Sequence, residues 1–210
     1  MILIFLTVYR DRRDIHHDLN ANLYAIVKLP FGFEYQMNFT PRYHWYEYMN
    51  HESAEHPEWA GDGGRSERKN EKTFNWQVDN ILRWKKEFGE DHRVEATFLQ
   101  NAEKGQWWKT VAQNKLYSPS DILGFHNIGA GTAPSVSSED TYKTGDALMG
   151  RLFYSFKDKY MLTASVRRDG YSAFGSMNPH AVFPAVALGW VFTSEKFMEK
   201  TSDWLNYGKL

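Results

Sequence analysis

From Phe33 to Trp45 the chain alternates without a break. Phe33, Tyr35, Met37, Phe39, Pro41, Tyr43 and Trp45 fall on one side, and Glu34, Gln36, Asn38, Thr40, Arg42 and His44 on the other. Successive side chains of a strand point to opposite faces, so this spacing predicts a β-strand with one apolar and one polar face. The apolar side carries aromatics at both ends and Met and Phe between them. That is the layout of a strand crossing an outer membrane, with aromatic girdles at two water interfaces and a polar side toward a lumen. A slanted crossing takes roughly 9–11 residues, and the run is long enough.

The pattern recurs. Asn22–Leu29, Phe74–Trp84, Arg93–Gln100, Leu148–Phe156, Tyr160–Arg168 and Val182–Phe192 all read as strands, and Trp204–Leu210 starts one more. In Phe74–Trp84 the apolar side is Phe74, Trp76, Val78, Asn80, Leu82 and Trp84. The alternation places Phe39, Val78, Phe98, Leu162 and Leu188 outward, and Gln36, Asn38, Gln77, Glu95 and Arg167 toward the lumen. Short turns follow alternate strands, at Pro30–Gly32, Phe88–Asp91 and Lys157–Lys159, while Asn50–Asn70 and Lys104–Gly145 read as long loops. Short turns at one rim and long loops at the other are the habit of outer-membrane barrels. The fold class expected is therefore all-β: an antiparallel meander of about eight strands forming part of a large transmembrane barrel.

Composition sharpens this. The 210 residues include no Cys, which excludes disulfides and Cys-based metal sites, and the net charge of −1 gives no reason to expect nucleic acid. Aromatics make up 16% of a chain whose mean hydropathy is −0.61, as expected where half of each strand faces water. The same balance suits a soluble carbohydrate-binding β-sandwich or a piece of a glycosidase, which is the alternative reading. No stretch approaches the ~18 apolar residues of a membrane helix. Met1–Val8 is apolar but has neither a basic leader nor a cleavage site, and reads as a strand or as a start inside a longer frame.

Arg151–Gly175, RLFYSFKDKYMLTASVRRDGYSAFG, together with Phe183–Met198, FPAVALGWVFTSEKFM, and the final WLNYGKL, closely resembles the barrel signature of SusC/RagA-type TonB-dependent outer-membrane transporters. The signature positions are Arg168, Asp169, Gly170, Phe174, Gly175, Phe183, Pro184, Trp190, Glu195 and Phe197. Tyr171, Ala173 and Ala185 depart from it, at the external corner and on the lumen side. The resemblance implies a Gram-negative, Bacteroidetes-like outer membrane and uptake of glycan or peptide nutrients. It also implies a SusD-like surface lipoprotein and energy from the TonB complex, with neither catalysis nor a cofactor. It further implies that residues 1–210 are an internal stretch of a twenty-two-strand barrel whose plug domain and TonB-contacting segment lie elsewhere.

Local chemistry gives the signature a physical basis. Lys157-Asp158-Lys159 is a polar reversal, Gly170 is expected to take a positive φ, Pro184 to mark a strand start or bulge, and Ser194 to cap a helix-like turn. Arg42, His44, Trp59, Trp107, Trp108 and Arg167 are the candidate substrate contacts, as charged or aromatic side chains of the lumen and outer loops. The aromatic faces suit sugar stacking or an interface girdle equally. His44, His51 and His56 with Glu47, Glu52, Glu55 and Glu58 match no zinc spacing. Nothing orients Glu52, Glu55, Glu58 and Asp62 as a glycosidase pair.

Overall fold

The computed structural model describes residues 9–174, 179–201 and 203–210; the Met1–Val8 stretch and Gly175 lie outside the described residues. Among the described residues eight strands form one sheet: β1 (Arg10–Asn20), β2 (Leu23–Lys28), β3 (Phe33–Glu52), β4 (Arg65–Phe88), β5 (His92–Lys115), β6 (Ser135–Phe156), β7 (Tyr160–Tyr171) and β8 (His180–Trp190). Their order is β1-β3-β4-β5-β6-β7-β8, with β2 also on β3, and the pairing is antiparallel. This is the expected meander. β1 and β2 share one neighbour because they are successive stretches of the same hairpin arm, pairing Arg10–Asn20 with Glu52–Arg42 and Leu23–Lys28 with Phe39–Glu34.

The strands run well past the predicted ends. The Asn50–Asn70 loop shrinks to the residues between Glu52 and Arg65, and Lys104–Gly145 to those between Lys115 and Ser135. β1 itself has no counterpart in the hydrophobic pattern. In these outer stretches both faces are polar, so no period-two hydropathy signal marks them, yet backbone pairing continues. Trp204–Leu210 forms no strand; only Leu210 exchanges backbone hydrogen bonds with Trp190, at 3.1 and 2.9 Å.

The chain divides into two compact units. One comprises the described part of Met1–Ala21 with Pro41–Asn75 and Gly105–Tyr142; the other comprises Asn22–Thr40, Trp76–Lys104 and Lys143–Leu210.

In the second unit the register fixes the faces. Tyr154, Leu162 and Leu188 are cross-strand partners, as are Leu152, Ala164 and Val186, so these share one face. Leu188 is 80% exposed and Val186 73%. Such exposure of a contiguous apolar surface is tolerated only against another apolar medium. Phe33 and Trp84 approach at 6.3 Å on the same face, and the Trp84 indole N–H donates to the Phe31 carbonyl at 3.1 Å. An amphipathic ring with its polar atom satisfied at the edge suits a girdle position. Asn80 is the polar exception on this face. It accepts from the Tyr35 hydroxyl at 2.6 Å and donates to Gln100 at 2.7 Å.

The opposite face is a polar lattice. Arg83 donates to Glu34 and Gln36 at 3.1 and 2.7 Å, Gln36 to Asn38 at 2.8 Å, and Asn101 to Asp79 at 2.7 Å.

The short turns meet: Lys157 N–H donates to the Asp91 carbonyl at 2.6 Å. Lys157 and Asp158 both take positive φ (56° and 50°), the centre of a tight turn closed by the Lys159 N–H to the Phe156 carbonyl at 3.0 Å within a three-residue connection. Three expectations need correction. Gly170 has no positive φ; it is an extended residue of β7 whose missing side chain makes room for the Asp146 carboxylate and the His180 ring. Pro184 stands within β8, opposite Val166 in an unbroken register, neither at the strand's start nor at a bulge. Ser194 ends the 3₁₀ turn Phe192–Ser194 rather than capping the next one, Lys196–Thr201.

At that junction Glu195 ties three elements. It accepts from the Tyr160 hydroxyl at 2.5 Å and the Trp190 indole at 3.1 Å, and pairs with Lys159 at 2.7 Å. These bonds, the Lys159 contact foremost, pull its pKa down to about 2.

Candidate functional site

β1 pairs with the outer half of β3, placing Arg12, Asp14, His16, Asp18 and Asn20 on the face that carries Arg42, His44, Tyr46 and Tyr48. This continues the polar face of β3, because Glu34, Gln36, Asn38, Arg42 and His44 stay in strict alternation along one strand. The surface is organised by charge and rings together. His44 Nδ1 lies 2.7 Å from Asp18, and the Tyr46 hydroxyl donates to Asp14 at 2.7 Å. His16 stacks on Tyr46 at 4.6 Å, and the Lys69 ammonium lies over the Tyr46 and Tyr48 rings at 4.8 and 5.4 Å. Lys69 also pairs with Glu71 at 3.4 Å, and the Trp107 indole donates to the same carboxylate at 3.4 Å. Asp18, Asn20, Arg42, Tyr43, His44, Thr73 and Asn75 line a half-open pocket of about 160 Å³.

Three of the six candidate contacts therefore share one wall: Arg42, His44 and Trp107. The other three do not. Trp108 follows Trp107 within β5, rather than in a loop, and so faces the other way. Trp59 sits in the β3–β4 connection with its ring 4.5 Å from His56. Arg167 lies on β7 in the second unit and donates to Asp169 at 2.7 Å. Of the signature residues, Arg168 pairs with Leu148 and Val182 on the apolar face of β7, and Phe183 lies opposite Arg167 on the polar face. Phe174 contacts Tyr171 edge-on at 5.6 Å, and Phe197 lies 6.5 Å from Trp190.

The sequence pattern missed Asp14, His16, Asp18, Asn20, Lys69, Glu71, Thr73 and Asn75. The available signal was that even positions of Arg10–Asn20 read Arg, Arg, Asp, His, Asp, Asn, a polar face without an apolar partner face to announce it.

The histidines and glutamates weighed for metal separate: Glu52 pairs with Arg10 and Arg65, and His56 faces Trp59. His51 lies 2.9 Å from the Ser66 hydroxyl and 3.6 Å from Asp121, the residue types of a hydrolase triad. Ser66 is wholly enclosed, however, and an enclosed hydroxyl reaches no substrate. Asp121 also accepts from the Ala54 N–H at 2.7 Å, so the trio fastens the two outer connections together. These connections also share the Leu116 N–H to Asp62 and Tyr117 N–H to Gly63 backbone bonds, both 3.0 Å.

The profile of the family described as "TonB dependent receptor-like, beta-barrel" matches residues 6–209. The chain belongs to this family. The TonB-dependent receptor P39 of Formosa agariphila is 32% identical over 139 residues, 65% of this chain and 13% of that protein. The TonB-dependent receptor SusC of Bacteroides thetaiotaomicron is 31% identical over 100 residues, 46% of this chain and 8% of SusC. Among solved structures, a chain of the RagAB peptide transporter superposes with a TM-score of 0.84 at 18% identity, covering 93% of this chain and 22% of its own length. The chain thus spans about 14% of the length of the TonB-dependent receptor P26, also of Formosa agariphila, at 29% identity.

Membership decides between the two readings of the sequence. This is the wall of an outer-membrane β-barrel of the TonB-dependent receptor family. The apolar face is the lipid face, and the polar face is the lumen face. The relatives are named receptors rather than enzymes.

Proposed function

We propose that this wall belongs to a TonB-dependent transporter that imports glycan or peptide nutrients, with a SusD-like lipoprotein at the surface and the TonB complex supplying energy. The observation that carries the reading is the lumen wall of Arg42, His44 and Trp107. A purely structural lumen surface needs only water and ion pairs. This one adds indole, phenol and imidazole rings beside a polar pocket, the combination that binds hydrated cargo by stacking and hydrogen bonds. Arg167, Trp59 and Trp108 stand apart from that wall and are secondary contacts at most. No catalytic step is required of any of them.

The test is uptake. In the native host, deleting the gene that encodes this chain should abolish import of a defined labelled glycan or peptide. Import should also collapse when the proton gradient feeding TonB is dissipated. Undiminished import of every labelled glycan and peptide after deletion would reject the reading.

A further inference from the structure

We propose that the pocket around Arg42 receives the carboxylate of an acidic oligosaccharide, one containing uronic-acid residues, on its way through the lumen. This rests on the transport reading above and names the cargo class for the same wall.

The first observation is an arginine left open. On the lumen face of this unit Arg10 is bound by Glu52 at 3.5 Å and Asn50 at 2.9 Å, and Arg12 by Asp14 at 2.8 Å. Arg65 is bound by Glu52 at 3.0 Å. Arg42 has no partner among the described residues, although the Asp18 carboxylate lines the same pocket. Asp18 is taken instead by His44. A guanidinium presents a planar fork of five donors that fits a carboxylate through two parallel hydrogen bonds, so an open one beside a pocket is a receptor for that group.

The second observation is what surrounds it. Asn20, the ladder partner of Arg42, contributes a side-chain amide, as does Asn75, and Thr73 a hydroxyl. The Asp18–His44 pair offers further acceptors and donors. These are the groups that pair with sugar hydroxyls. A peptide would also need main-chain donors and acceptors, which the strands spend on their own ladder. The volume, about 160 Å³, equals roughly five water volumes at ~30 Å³ each, which suits a single pyranose ring.

The third observation is Trp107. Its N–H is held by Glu71, two residues from Thr73 on β4, and among the described residues no other ring stacks on it. An unstacked indole tethered to the strand that supplies Thr73 and Asn75, though outside the pocket's own lining, suits the C–H face of a neighbouring sugar.

The transporter that contains this chain, purified in detergent with its native partners, is titrated calorimetrically with three probes. These are trigalacturonate, its neutral methyl ester and hexaglutamate. Trigalacturonate should bind about ten- to a hundred-fold tighter than the ester, the gain expected of a charge-assisted bidentate contact. Arg42→Gln should erase that preference, and Arg42→Lys should keep only part of it, because an ammonium lacks the fork. Asn20→Asp, which sets a carboxylate opposite Arg42, should erase it as well; this second variant covers a folding failure of the first. Arg151→Gln removes a lumen-side charge outside the pocket and should leave the preference intact. Equal binding of acid and ester, or a preference that survives both Arg42→Gln and Asn20→Asp, overturns the inference while leaving transport standing. Tighter binding of hexaglutamate overturns it in favour of acidic peptides. If none of the probes binds and uptake also survives deletion, the transport reading falls with it.

Discussion

Replacing Val166 by Arg should be far more damaging than replacing its neighbour Ser165 by Arg, although the two positions are adjacent. Val166 is half exposed on the lipid face, opposite Gly150 and Pro184. Ser165 is opposite Arg151 and Ala185 on the lumen face. Strands rise about 3.3 Å per residue and tilt about 40°, so each residue advances ~2.5 Å along the membrane normal. Val166 lies six residues beyond Tyr160, the first residue of β7, or ~15 Å into an apolar band ~25 Å tall. An Arg at that depth costs about 2–4 kcal/mol, a thirty- to thousand-fold shift in the folding equilibrium. On the lumen side the guanidinium stays hydrated, and the cost should fall below ~1 kcal/mol. The assay is denaturant-dependent folding of the full-length receptor containing this chain into phospholipid vesicles, with outer-membrane abundance as a check in cells. Equal costs for the two variants, or a larger cost for Ser165→Arg, would refute the assignment of faces.

Gly32 has φ +84° and its missing Cβ would run into the Lys85 carbonyl, whereas Gly89 has φ +63° with open space around it. Gly32→Ala should therefore cost about 1–3 kcal/mol more than Gly89→Ala in the same folding assay. Glu195 is held down at about 2, below its ordinary 4.5, because Lys159, Tyr160 and Trp190 bind its charged form. A lowered folded-state pKa gives stability that is complete above pH 4.5 and lost as pH falls toward 2. Glu195→Gln should consequently melt below the wild type at pH 7 and match it near pH 2; a constant difference across that window would count against the clasp. This chain expressed by itself without detergent should aggregate, because its lipid face leaves Val186 and Leu188 bare in water. A monodisperse, cooperatively melting monomer in plain buffer would contradict that.

Most of the membrane-crossing stretch was legible in the chain. Where one face meets lipid and the other water, a one-residue slip inverts every side chain, so selection for the interface writes a strict period of two. Phe33–Trp45 and Tyr160–Arg168 show it, and the structure keeps their faces as the alternation predicts. The charged reversal Lys157-Asp158-Lys159 was equally readable, since it interrupts two strands that alternate cleanly on either side of it.

The outer stretches were not legible, for the converse reason. β1 and the outer parts of β3, β4, β5 and β6 are polar on both faces, and backbone hydrogen bonding, which hydropathy does not report, extends them. The sequence alone determined a two-faced sheet, its crossing strands and the family signature. Only the tertiary structure decided which distant residues share the lumen wall. Arg42 meets Asn20 because the β1–β3 register puts them opposite, and Thr73 and Asn75 join them from β4. Contacts of this kind depend on strand register between segments tens of residues apart, and no local pattern of side chains specifies them.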